Sequence, residues 1–279
     1  MSAPSTFDGE RLLAVARDAA GAASRIAHQG WLQRDSIEVA DKGAGDVVTS
    51  IDLAAETAAI GIIRSACPDH AILSEEAGGD GVESDYLWVI DPIDGSVNFA
   101  HGLADFAVSV ACLHRGQALV GVIVDPVRGD TYSAVRGGGA WRNGSRIHVS
   151  SCSELKHALL GTVFPKPGAA AMAGYLPALG AALNTAQGVR RSGSMVLDLA
   201  RVASGQLDGF WQVGMKAWDL AAGSLMIEEA GGRLDLRGTQ NTRPAGSVLD
   251  TRSCIVAAPD LLEALARLLD GFDAESSRT

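Results

Sequence analysis

The sequence predicts an α/β chain, α+β in its detail, with helices and strands interleaved in layers around shared cores. Three observations carry this. Near the start, Leu12, Ala16, Ala19, Ala23 and Ile26 recur at helical spacing. The middle third, FAVSVACLH, ALVGVIVD and DTYSAVR, is built of apolar and β-branched runs bounded by turn residues. The C-terminal half alternates short strand-like runs with helical ones. At 279 residues and 47% hydrophobic content the chain can bury a sizeable core. No linker-like break falls near position 150, so residues 1–279 are expected to form one unit, with an N-terminal half of about 1–150 and a C-terminal half of about 151–279.

Each element follows in order. GERLLAVARDAAGAASRIAHQGW is the first amphipathic helix, and DKGAGD reads as a Gly-rich connector. DVVTSIDLAAETAAIGIIRSA is a short extended piece running into a helix near Ile51. AILSEE and YLWVID are strands that end in acid. In GGGAWRNGSRIHVS, Asn143-Gly144 marks a two-residue hairpin, since both residues tolerate positive φ. The glycines at 137–139 are not a dinucleotide fingerprint, because position 142 is Arg. LLGTVF is a strand, GYLPALGAAL a helix, and MVLDLARVASG a helix stopped at Gly205. DGFWQV is a strand, WDLAAGSLMIEEAGG a helix, SCIVAA a strand and DLLEALARLLDGF a closing helix.

Composition excludes several classes of function. The formal net charge of −10 argues against nucleic acid as a main partner, because a phosphate backbone calls for basic stripes. Apolar runs fall short of the roughly 20 residues of a membrane span, and MSAPSTFDGERLLA lacks the pattern of a secretory signal. A cytoplasmic protein is expected. Cys67, Cys112, Cys152 and Cys254 lie far apart and form no CxxC pair, so they read as free thiols rather than zinc ligands.

Five carboxylates stand out by position: Glu75, Glu76, Asp91, Asp94 and Asp219. Each falls where an apolar run ends or a helix begins, the place where α/β folds set their sites. Hard ions such as Mg²⁺ favour carboxylate oxygen and bridge to phosphate. In an extended D-P-I-D-G-S, Asp91 and Ile93 face one way while Asp94 turns to a second ion. Gly95 permits a tight turn, and Ser96 offers a hydroxyl among amides suited to an oxyanion. Simpler roles compete at each position: Asp219 and Asp52 as helix N-caps, Glu75 and Glu76 as solvated turn residues, Asp94-Gly95 as an ordinary turn.

SEEAGG, WVIDPIDGSVNFAHG and AWDLAAGSLMIEEAGG resemble the signature segments of the inositol monophosphatase family, and DVVTSID is similar to its N-terminal metal-site motif. The resemblance continues through GGGAWRNG and RRSGSMVLDLARVASGQLDGFW. It implies a layered α-β-α-β-α sandwich and a Mg²⁺-dependent, Li⁺-sensitive phosphomonoesterase, usually a homodimer, acting on a small phosphorylated substrate. Carried over by position, Glu75, Asp91 and the carbonyl of Ile93 would hold one Mg²⁺. Asp91, Asp94 and Asp219 would hold a second, and a third would sit near Glu75 and Glu76 through water. Ser96, paired with Asp52, and Glu75 would orient and deprotonate the attacking water. Substrate would meet Asp94, Gly95, Ser96, Ser194, Met195, Gln212 and Asp219.

Three positions depart from the family pattern. Ser96 replaces a usual Thr and keeps the hydroxyl. Gln212 replaces a Glu that accepts from inositol hydroxyls, keeping an acceptor but losing the charge. Met195 replaces a small Ala and is expected to add an apolar chain to the alcohol pocket. Inositol 1-phosphate is the first substrate expected, with histidinol phosphate or a broad range of sugar and polyol phosphates as alternatives. A regulatory protein-binding role with incidental catalysis is the reading from another class. Trp88, Trp141, Trp211 and Trp218 are read as core, His101 as a turn residue, and Arg190 and Arg191 as a solvated pair or a contact to substrate or a second subunit.

Overall fold

The computed structural model describes residues 6–34, 39–43, 46–80, 84–238, 248–249 and 251–273. Its central element is β5 (Tyr86–Asp94), in which every residue from Leu87 to Ile93 is buried. Leu87 and Val89 enter one core while Trp88 and Ile90 enter another, as a period of two demands. That two-sided burial explains why the strand reads as a continuous apolar run rather than an alternating one.

The chain order is α1 (Thr6–Leu32), β1 (Val39–Gly43), β2 (Asp46–Thr49), α2 (Ser50–Ala66), β3 (Ala71–Ser74), β4 (Gly78–Asp80), β5, α3 (Ser96–Ala100) and β6 (Ala107–His114). Next come β7 (Gln117–Asp125), β8 (Asp130–Val135), β9 (Gly139–Arg142), β10 (Ser145–Ile147), β11 (Leu159–Thr162), α4 (Met172–Thr185) and β12 (Gly188–Arg190). The rest is α5 (Met195–Ala203), β13 (Gly209–Val213), α6 (Ala217–Glu229), β14 (Arg233–Gly238), β15 (Thr251–Ala257) and α7 (Leu262–Leu268).

Among the described residues, eight strands form a large sheet in the order β10-β9-β8-β7-β6-β5-β3-β4, and five form a smaller one, β12-β11-β13-β15-β14. Helices α1 and α2 cover one face of the large sheet through Ala16, Ala23, Ala59 and Ile63. Helices α5 and α6 fill the space between the sheets, with Leu199, Leu220, Leu225 and Met226 wholly buried. Outside the small sheet lie α4 and α7, packed through Tyr175, Leu262 and Leu265. The layers therefore run α-β-α-β-α.

The structure differs from the sequence reading in a few places. The connector DKGAGD belongs to a two-stranded antiparallel ribbon, β1 with β2, and its residues 44–45 lie outside the described set. Three short strands carried no readable pattern: β4, β12 and the edge strand β14, in which RLDLRG is only partly buried. Asn143-Gly144 does turn the β9–β10 hairpin, with φ of 51° and 79°. The four cysteines are free, three of them buried. Among the described residues no helix is long and apolar enough to cross a membrane.

Candidate active site

The site begins with an irregularity in β5. Asp91 lies opposite Ser109 of β6, yet Asp94 lies opposite Ala107, so one extra residue bulges out at Pro92-Ile93. Ser109 and Ala107 are two apart and share a face, which puts Asp91 and Asp94 on the same face too. This corrects the expectation that Asp91 and Ile93 point together. The Ile93 side chain is buried in the opposite core, while its carbonyl accepts from Ser96 Oγ at 3.0 Å.

Asp219 arrives from the far side of the inner core. It is the third residue of α6, where its carboxylate accepts from the Lys216 amide at 2.7 Å. It is thus one turn inside the helix rather than its N-cap. Asp52 holds the same place in α2, where the Thr49 amide donates to it at 2.9 Å and the Thr49 hydroxyl donates as well. Its other oxygen faces Ser96 Oγ at 3.3 Å. Asp52 lies behind Ser96, outside the cavity lining.

Glu75, Asp91, Ile93, Asp94, Gly95, Ser96, Gln212 and Asp219 all line one cavity of about 510 Å³. Gly95 sits at φ 95°, and a Cβ there would come within 3.0 Å of the Asp105 carbonyl, so only glycine fits this turn. Asp94 is oriented by two donors at the start of α5, the Ser194 hydroxyl and the Val196 amide at 2.8 Å. Ser194 is wholly buried behind Asp94 and caps α5 by accepting from the Leu197 amide at 3.2 Å. Met195 does not reach the alcohol pocket. It is 2% exposed and packed in the inner core, because the first turn of α5 directs it inward.

One oxygen from each of Asp91, Asp94 and Asp219 lies within 4.8 Å of the others. Burial first, then mutual repulsion with Glu75, Asp94 and Asp219, pushes Asp91 well above the usual carboxylate range. Burial and Asp219 raise Asp94 to about 7 against the opposing bonds from Ser194 and Val196. Burial also raises Asp219 to about 7, opposed by the Lys216 amide and aided by Glu75. Asp91 Oδ1 is buried with no hydrogen-bond partner. An orphaned carboxylate oxygen beside two further acids fits a hard divalent cation, and the absence of His and Cys from the lining disfavours zinc.

The family model for the inositol monophosphatase family matches residues 8–272. The chain belongs to that family. It is accordingly a metal-dependent phosphomonoesterase. The chain is 42% identical over 244 residues to the Nus factor SuhB of Pseudomonas aeruginosa, covering 85% of this chain and 90% of that protein. The crystal structure of extragenic suppressor protein suhB from Bartonella henselae is similar with TM-score 0.86 and 32% identity, over 93% of this chain and 98% of that one. The inositol monophosphatase of Anabaena (Nostoc) is similar with TM-score 0.77 and 34% identity, over 93% and 95%.

Sequence reasoning missed several contributors. Glu56, buried one turn after Asp52 on the same face of α2, accepts from the Glu76 and Ala77 amides at 3.0 and 3.2 Å and so holds the turn that presents Glu75. Two acids spaced i, i+4 on an otherwise apolar helix were the available signal. Buried Asn98 donates to the carbonyls of Asp105 and Ser192 at 2.6 and 2.9 Å, tying the Gly95 turn to the loop before α5. Trp218, read as core, is half-buried and lines the cavity, as do Phe164, Lys166, Arg191 and Lys216.

Proposed function

We propose that the cavity hydrolyses the phosphate ester of a small polyhydroxylated alcohol, with inositol 1-phosphate the first candidate. The observation that supports it most is the convergence of Asp91, Asp94 and Asp219 around an orphaned oxygen beside the Gly95 turn. Two or three magnesium ions on Glu75, Asp91, the Ile93 carbonyl, Asp94 and Asp219 would supply an activated water and charge to stabilise the transferring phosphoryl group.

The chain's own groups do the positioning. Ser96 Oγ has one proton and two acceptors within reach, the Ile93 carbonyl and Asp52. With its proton given to either, its lone pairs face the cavity and accept from the attacking water. Glu75 takes that water's proton, and Glu56 fixes Glu75 by holding the following turn. The amides at Gly95 and Ser96 hold phosphate oxygens, and Gln212 meets the alcohol. Histidinol phosphate fits less well, because its ammonium would meet Gln212, Lys166, Arg191 and Lys216 rather than an acid.

The test is phosphate release from inositol 1-phosphate, histidinol phosphate and glycerol 2-phosphate, with and without Mg²⁺ and Li⁺. Mg²⁺-dependent, Li⁺-sensitive turnover led by inositol 1-phosphate is expected. Turnover led by histidinol phosphate would overturn the reading of Gln212. The name Nus factor carried by the Pseudomonas relative supports a second reading beside the first, a protein-binding role that does not require catalysis.

A further inference from the structure

Two turns aim the acidic floor, and one arginine behind them reaches both. The Gly95 turn backs onto the loop between α3 and β6. There the Asp105 carbonyl accepts from Asn98 Nδ2 at 2.6 Å and is the atom that a Cβ on Gly95 would meet first. The second turn is the start of α5, where Ser194 and Val196 donate to Asp94. Arg201 lies two helical turns beyond Ser194 along α5. Its Nη1 donates to Asp198 Oδ1 at 2.9 Å and its Nη2 to Asp105 Oδ1. A single guanidinium thus joins the helix that aims Asp94 to the loop that backs Gly95.

Arg201 does not face the substrate. Arg201, Asp105 and Asp198 stand outside the lining of the active-site cavity and line a separate one. The two acids depend on the arginine in different ways. Asp198 is wholly buried, and among the described residues its ion pair is with Arg201. Without that cation it would be a buried charge left alone, which is strongly destabilising. Asp105 is half-buried and pairs with Arg128 as well, at 3.3 Å. A pair so open to solvent adds little to stability. What the Asp105 arm supplies is geometry, because a planar fork donating to two carboxylates fixes their separation, as a single ammonium does not. The helix end of this clamp is firm, since Leu197, Leu199 and Ala200 are buried in the inner core.

We propose that Arg201 is a positioning residue for the hydrolysis: by clamping Asp105 to Asp198 it fixes the Gly95 turn against the start of α5, and so sets where Asp94 stands on the cavity floor. This deepens the reading of Asp94 as a magnesium ligand given above and rests on it.

The test is Mg²⁺ binding to full-length protein, read by titration calorimetry at pH 8 beside Tm and phosphate release. Asp105→Asn keeps the backbone carbonyl and should leave Tm near wild type while weakening Mg²⁺ binding several-fold. Arg201→Met should weaken binding by about tenfold, the lower end of what losing a group that supports metal ligands costs. It should also lower Tm, because Asp198 is left unpaired. The two substitutions together should weaken binding no further than Arg201→Met alone, because both break one clamp. Arg201→Lys, which keeps the charge but not the fork, should recover Tm more fully than Mg²⁺ affinity. In every variant kcat at saturating Mg²⁺ should stay close to wild type. Unchanged Mg²⁺ affinity in Asp105→Asn and Arg201→Met, losses that add in the pair, or full recovery of affinity in Arg201→Lys would each overturn the clamp and leave the hydrolase reading intact. Asp94→Asn is the control: Mg²⁺ binding untouched by it would overturn the reading of the acidic floor, and this inference with it.

Discussion

Asp94 serves two masters within a single carboxylate. Its Oδ2 accepts from Ser194 and Val196, while the group as a whole faces Asp91 and Asp219 across the cavity floor. Asparagine keeps the shape and the acceptor but not the charge, so Asp94→Asn separates the two roles. The two bonds from α5 should survive, and the loss of one repelling charge should leave thermal stability without Mg²⁺ equal to wild type or higher. Turnover should fall by about 100-fold or more, the scale found when one electrostatic contact to a developing charge is removed. Near-normal turnover would sink the placing of Asp94 at the reacting phosphate. The same variant used as bait in a pull-down addresses the binding reading, since a partner retained in stoichiometric amount by an inactive protein would act independently of catalysis.

At the scale of elements, the site is made by how each element starts and stops. The bulge in β5 turns two acids onto one face, the first turns of α2 and α6 present Asp52 and Asp219, and the start of α5 aims Asp94. Ser194 is the joint, both cap of α5 and donor to Asp94. Ser194→Ala should cost about 1 kcal/mol, as loss of an N-cap does, and lower Tm by about 2–4 °C for a chain of this size. It should also raise the Mg²⁺ concentration for half-maximal activity, a shift that a purely structural cap would not produce. Legibility in the sequence followed the same lines. Long periodic runs such as α1 and α6, and the two-sided strands β5 to β7, were readable because burial writes directly into residue type. The starts of α2 and α6 were readable to within a residue, but the caps were not: Thr49 and Lys216 lie three residues before Asp52 and Asp219, which is why an N-cap role competed with the site role at both acids. The facing of Asp94 was unreadable because a bulge leaves no mark in a period-two pattern, and β14 was missed because it is a half-exposed edge.

At the scale of the whole molecule, the layer order came from family resemblance, because helix and strand patterns alone leave open which face of which sheet each helix covers. The assembled layers put the acids where their charge state answers to both folding and metal. Without metal, Asp94 and Asp219 are held at about 7, against about 3.9 for an aspartate in an unfolded chain. For groups raised on folding, the folded state binds more protons than the unfolded between those values. Their stabilising contribution is therefore full below about pH 4 and is lost as pH rises through about 7. Metal reverses the sense, since it needs both carboxylates charged and must displace their protons below neutrality. The gain in Tm on adding Mg²⁺ to EDTA-treated protein should thus be small at pH 6, grow steeply across pH 7 and level off above pH 8. Titration calorimetry in buffers of different ionisation enthalpy should show more protons released on Mg²⁺ binding at pH 6.5 than at pH 8.5. A gain in Tm independent of pH, with no proton release at either value, would mean that the ion binds away from the Asp91, Asp94 and Asp219 floor.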